Sequence, residues 1–207
     1  MLERAIRRTP AVVNTEWLRA LPPAARFAFH GDARAQAAAL PVWGPAFSED
    51  ACRANMLGTR ATLWLGPDEY LLLDFGDCRP SAGKPSSSRN MGGEPSVHAG
   101  STHIAVFSEL EHALADVPHA MVDISHRQFA LEVSGTHAAT ILSGACPLDL
   151  EFAEFPVGMC TRTVLAKADI VLWRTRPEVF HLEVWRSFAG YVTGILSEIA
   201  AEFYPAR

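Results

Sequence analysis

Cysteine is scarce in these 207 residues: only Cys52, Cys78, Cys146 and Cys160 occur, and no two of them form a C-x-x-C pair. Structural zinc and redox dithiol chemistry therefore have no motif to rest on. Long apolar runs are also missing. The best candidate, residues 164–173, is broken by Lys167 and Asp169 and falls well short of the ~18 residues a membrane helix needs. Arg4, Arg7 and Arg8 are followed by no apolar h-region, so no secretory signal is expected. Few cysteines and no export signal make the cytoplasm the expected compartment. Basic charge is outweighed too: 18 Lys and Arg stand against 23 Asp and Glu, a net charge of −5. That balance gives no electrostatic footprint for nucleic acid or an anionic membrane, and neither is expected as a partner. What is present is 49% apolar and 20% charged, the composition of a globular chain with a real core.

One stretch breaks this composition. Residues 76–101 read GDCRPSAGKPSSSRNMGGEPSVHAGS, with too little apolar surface to offset ordering entropy, so a mobile loop is expected. Around it, three units follow: an N-terminal segment 1–24, a first α+β half 25–118 that carries the loop, and a second α+β half 119–207. In the first half, 26–30 alternates like a strand and 32–40 is an alanine-rich helix with Asp32 as N-cap. Residues 61–65 and 70–75 form a hairpin around Gly66-Pro67-Asp68-Glu69, and 104–117 is helical. The second half has strands at 121–125, 129–134, 161–166, 170–173 and 179–185, with a short helix at 136–142. Phe188, Tyr191, Val192, Ile195, Leu196, Ile199 and Phe203 then fall on one helical face, with Ser187 as its cap. Leu63-Trp64 and Leu73-Asp74-Phe75 echo Leu172-Trp173 and Leu182-Glu183-Val184, and Phe27-Ala28 echoes Phe129-Ala130. The order suggests duplication. The fold class expected is α+β: duplicated ferredoxin-like units with mixed or antiparallel sheets.

Motifs for chemistry are weak. No G-x-G-x-x-G follows a strand, and no G-x-x-x-x-G-K-[ST] occurs. Ser125-His126 lacks a nucleophile elbow, and neighbours on a strand face opposite ways. Ser125 is therefore expected to cap a strand end with His126 in solvent. Cys146 and Cys160 read as small buried hydrophobes. His98, His103, His112 and His119 are not spaced as helical metal ligands, and Asp149, Glu151 and Glu154 read as a surface loop. No catalytic, cofactor-binding or metal-binding residue is assigned. Of the five tryptophans, Trp64 and Trp173 are expected as matched core anchors. Trp17, Trp43 and Trp185 divide between core packing and an interface.

Several stretches carry a family resemblance. Val122-Asp123-Ile124-Ser125-His126 followed by Leu131-Glu132-Val133-Ser134-Gly135 resembles the opening of the glycine-cleavage T-protein (aminomethyltransferase) fold. Gly144-Ala145-Cys146-Pro147-Leu148-Asp149-Leu150, Phe155-Pro156-Val157-Gly158, Thr163-Val164-Leu165-Ala166-Lys167 and Leu172-Trp173-Arg174 before Arg186-Ser187-Phe188-Ala189 are similar to the gamma subunit of heterotetrameric sarcosine oxidase. Trp64-Leu65-Gly66-Pro67-Asp68-Glu69-Tyr70-Leu71-Leu72 resembles the same family. The resemblance implies a folate-binding-like fold and a non-catalytic chain that binds no cofactor itself. It would support an alpha subunit, its main contact, beside beta and delta subunits. It implies a complex that oxidises sarcosine to glycine with hydrogen peroxide and passes a one-carbon unit to tetrahydrofolate. FAD, FMN, NAD, zinc and tetrahydrofolate would sit on the partner subunits. The alternative is a free-standing folate-binding aminomethyltransferase. Against it, the segment Lys167-Ala168-Asp169-Ile170-Val171 offers one lone Asp where such an enzyme has a Gly- and Asp-rich turn.

Overall fold

The computed structural model describes residues 14–76 and 99–204, with the backbone alone for 99–103. In chain order the elements are β1 (Leu18–Ala20), β2 (Ala25–His30), α1 (Ala33–Trp43), β3 (Ala54–Leu57), β4 (Arg60–Gly66), β5 (Glu69–Asp74) and α2 (Ala99–Ala113). There follow β6 (Ala120–Asp123), β7 (Gln128–Ser134), α3 (Ala138–Ser143), β8 (Cys160–Leu165), β9 (Ala168–Arg176), β10 (Val179–Trp185), a 3₁₀ turn (Arg186–Phe188) and α4 (Ala189–Ala200). The Gly/Ser/Pro-rich loop expected at 76–101 lies mostly outside the described residues, and at its far end the backbone is already helical from Ala99.

Two five-stranded sheets result, in the orders β3-β4-β5-β2-β6 and β8-β9-β10-β7-β1. Every recorded strand pair is antiparallel, so the mixed pairing allowed above does not occur among the described residues. The sheets correspond strand for strand, but not as a division of the chain at residue 119. β6 follows α2 and closes the first sheet, whereas β1 precedes β2 and closes the second. Each edge strand therefore hands the chain directly to the opposite sheet. Leu21 N–H donates to Ala130 O at 2.9 Å at one handover and Ile124 N–H donates to Arg26 O at 2.8 Å at the other.

Strand alternation gives each sheet two apolar faces. The outer face of the first sheet (Phe27, Phe29, Leu72) packs against Ala35, Ala39 and Trp43 of α1 and Val106 and Leu110 of α2. The outer face of the second (Leu131, Leu172, Leu182) packs against Ile141 and Leu142 of α3 and Val192 and Leu196 of α4. The inner faces meet in a third, smaller cluster that includes Leu63, Leu71, Leu73, Val171 and Trp173.

Asp32 caps α1 as its sequence position requires, accepting from Arg34 N and Ala35 N at 3.0 Å each. At the other end of α1, Arg60 donates to Val42 O at 2.9 Å and Trp43 O at 3.1 Å, taking up carbonyls that have no helical partner. Ser187 does not cap α4. It falls inside the 3₁₀ turn, and Phe188 occupies the cap position with no side-chain bond. The apolar stripe of α4 is correspondingly split: Val192 and Leu196 are buried, while Phe188 and Tyr191 face solvent.

The sequence echo is one residue out of register with the structural repeat. Leu63 pairs with Leu71 in the first hairpin and Trp173 pairs with His181 in the second, which makes Leu63 the counterpart of Trp173. A one-residue slip in a strand exchanges its faces. Trp64 accordingly packs toward the helices from a half-buried position, and Trp173 lies between the sheets.

Candidate functional site

The inner faces carry charge as well as apolar side chains. Arg26 stands between Ala25 and Phe27 in β2, and Glu183 between Leu182 and Val184 in β10. Arg26 Nε donates to Glu183 Oε2 at 2.6 Å, and Arg26 Nη1 donates to Ala24 O at 2.8 Å. The Nε2 of His181 lies 2.8 Å from the other carboxylate oxygen, Oε1 of Glu183, which fixes the donated proton on Nε2. His181 meets Phe75 edge-on with centroids 5.8 Å apart and tilts against Trp173 at 5.9 Å. The side chains of Arg26 and Glu183 are 3% and 0% exposed. Burial alone would push the Glu183 carboxyl up, but the Arg26 charge and the His181 hydrogen bond outweigh it and hold it at about 2. Each of its oxygens accepts a bond, one from across the seam and one from its own strand, so the cluster joins the two sheets.

Beside this cluster a cleft of about 280 Å³ opens along the seam, walled by Leu71, Ile124 and Val171. Its polar rim is largely self-paired: Arg162 bonds Glu69 from across the seam, and His30 lies 3.6 Å from the same carboxylate. Asp169 is exposed at the mouth, and Arg127 stacks over the exposed Trp185 at 5.1 Å. Oε1 of Gln128 is buried there without a hydrogen-bond partner.

The residues weighed from sequence are scattered. Ser125 Oγ accepts from Arg26 N at 2.9 Å and donates to Asp123 Oδ1 at 2.5 Å, so it does secure a strand end, while His126 is exposed. Cys146 and Cys160 are both buried, and burial pushes the Cys160 thiol up to about 12. His98 lies outside the described residues, as does the side chain of His103, whereas His112 and His119 are exposed. Asp149, Glu151 and Glu154 are exposed, with Asp149 accepting from Glu151 N at 2.9 Å in a local turn. Among the described residues no three His, Cys, Asp or Glu side chains are grouped to hold a metal ion, and no helix is long and apolar enough to cross a membrane. Trp17 and Trp43 are core: Trp17 stacks on Tyr204, and Trp43 Nε1 donates to Thr62 Oγ1 at 2.8 Å. Trp185 is 42% exposed.

Residues 95–202 match the sarcosine oxidase, gamma subunit family. The chain belongs to that family. Sarcosine oxidase subunit gamma of Corynebacterium sp. (strain U-96) is 30% identical over 206 residues, covering 99% of this chain and 84% of the relative. Sarcosine oxidase subunit gamma of Arthrobacter sp. is 30% identical over 143 residues, 69% of this chain and 58% of the relative. Among solved structures, a chain of the heterotetrameric sarcosine oxidase from Corynebacterium sp. U-96, in complex with pyrrole 2-carboxylate, superposes with a TM-score of 0.73 at 25% identity. It covers 100% of this chain and 94% of that one. The glycine cleavage system aminomethyltransferase T from Bartonella henselae superposes with a TM-score of 0.57 at 14% identity, over 86% of this chain and 44% of that one. This second likeness is one of fold. It agrees with the T-protein-like architecture of the gamma subunit family expected from the Val122–His126 and Leu131–Gly135 stretches.

Proposed function

We propose that this chain is the non-catalytic gamma subunit of a heterotetrameric sarcosine oxidase, and that its physical task is to support the alpha subunit. The observation that carries the reading is the end-to-end likeness to a chain of such an assembly, 100% of this chain against 94% of that one. In this reading the partners are the alpha, beta and delta subunits, alpha being the main contact. FAD, FMN, NAD, zinc and tetrahydrofolate are held by those partners, and the complex converts sarcosine to glycine in the cytoplasm. Two features of the described residues support it. The buried carboxylate at the seam is spent on a structural pair, bonded by Arg26 and by His181. Trp185, Phe188 and Tyr191 also leave an exposed aromatic ridge at the β10–α4 junction, the kind of surface that a complex buries.

A thermal melt separates this from the free-standing aminomethyltransferase reading, because a ligand that binds only the folded state raises the melting temperature by mass action. Tetrahydrofolate is expected to leave the melting temperature of the isolated chain unchanged, and co-purified alpha subunit to raise it. A rise with tetrahydrofolate alone would overturn the non-catalytic reading.

A further inference from the structure

The two sheets touch at a corner formed by the start of β3 and the start of β8. Cys160 N–H donates to Cys52 O at 2.9 Å, Ala54 N–H donates to Gly158 O at 2.9 Å, and Arg53 and Met159 form the antiparallel bridge between them. Cys52, in the turn just before that bridge, is thus tied to Cys160 by one backbone hydrogen bond. That 2.9 Å bond limits the separation of their Cα atoms to about 6.8 Å, inside the range of about 4.4–6.8 Å that a disulfide spans. Both thiols are free. Their surroundings differ. Cys52 is half-buried, in a left-handed conformation with φ of 58°. Cys160 is fully buried, and its Sγ donates to Trp64 O at 3.5 Å. Burial, reinforced by the neighbouring Cys52 thiol, disfavours the Cys160 thiolate, so Cys52 is the thiol that meets an oxidant first.

We propose that Cys52 and Cys160 are a peroxide-oxidisable pair whose disulfide clasps the corner joining the two sheets. The Cys52 thiolate attacks hydrogen peroxide. The O–O bond breaks, one oxygen stays on sulfur as sulfenic acid, and the other leaves as hydroxide and is protonated to water. The Cys160 sulfur then attacks the Cys52 sulfur. The S–O bond breaks, and the departing hydroxide takes up the Cys160 proton as a second water. Two thiols lose two electrons and one peroxide gains them. Thiol–disulfide exchange with a dithiol returns both residues to thiols, which makes the clasp reversible.

The test is a peptide map of the full-length chain after titration with hydrogen peroxide, with free thiols alkylated under denaturing conditions. A Cys52–Cys160 cross-linked peptide is expected, the two residues losing alkylation in parallel while Cys146 keeps it, and dithiothreitol restoring both. In Cys160→Ser, sulfenic acid at Cys52 is expected to persist and to react with dimedone. In Cys52→Ser, oxidation at Cys160 is expected to slow about tenfold or more. A link from either residue to Cys78, to Cys146 or to a second chain would overturn the pairing. So would over-oxidation of Cys52 with Cys160 untouched, or no thiol loss at all. The map of the unmodified chain decides the matter even if a serine variant fails to fold.

Discussion

Arg26 and Glu183 meet across the seam between the two sheets, Nε to Oε2 at 2.6 Å, and neither has a charged counterpart in the other half. The repeat-equivalent positions are Ala130 and Leu73: Arg26 pairs with Leu73 in the first sheet, and Glu183 pairs with Ala130 in the second. Each sheet thus contributes one member of a single pair, and the duplicated architecture is asymmetric at its centre. Breaking a buried pair strands a charge, whereas replacing both members by apolar groups does not. Glu183→Ala is expected to lose about 3–5 kcal/mol of stability. The double variant Arg26→Met, Glu183→Leu should recover most of it. Urea unfolding of both at neutral pH checks this, and losses that simply add would contradict it.

The same carboxyl sets an acid limb. Its pKa is lowered from 4.5 to about 2 by Arg26 and His181, against the upward push of burial. A depressed carboxyl contributes stability that is complete above the unfolded value. That stability is lost as pH falls through the window between 4.5 and about 2. The contribution is about 3 kcal/mol at 1.36 kcal/mol per unit. Glu183→Gln should therefore show a flatter decline across that window than the unmodified chain when chemical denaturation is repeated from pH 6 downward. An identical acid limb in the two proteins would contradict the assignment.

Helix α1 is held at both ends by side chains. Asp32→Ala removes the acceptor for two backbone donors and is expected to cost about 1 kcal/mol. Arg60 bonds the last carbonyls of α1, lies 3.0 Å from Asp74 Oδ2, and stacks over Trp43 at 5.3 Å. Arg60→Met leaves the buried Asp74 without its cation and should cost about 2–3 kcal/mol. Thermal unfolding of the two variants should rank Arg60→Met as the more damaging, and the reverse order would contradict this account of α1.

Local chemistry was legible in the sequence where one residue decides the outcome. Asp32 before an alanine-rich run marked a cap, and Gly66-Pro67-Asp68-Glu69 between two β-prone runs marked a hairpin. β1 and β3 were missed. They are only three and four residues long: β1 leans on a partner far along the chain, Val133 among its residues, and β3, though in a tight hairpin with β4, is partly exposed and shows no clear alternation. The repeat was visible but set one residue off, because two tryptophans at similar hairpin positions outweighed the face each must occupy. The Arg26–Glu183 pair spans 157 residues of sequence, so no local pattern joins the two. The signal available was a charge in the middle of each apolar strand, at Arg26 and at Glu183, which a strict inside–outside count would have flagged as two buried groups in need of partners. The edge-strand exchange could not be read at all, since β1 and β6 are short and take their identity from the sheets they join.

In the proposed role this chain works as one subunit of a larger oxidase. Affinity purification of the tagged chain from its native host, with mass spectrometry of co-eluting proteins and a visible absorption spectrum of the pool, tests it most directly. The expected result is a yellow, flavin-bearing complex containing larger subunits in fixed proportion to this chain. A colourless protein recovered alone would contradict it.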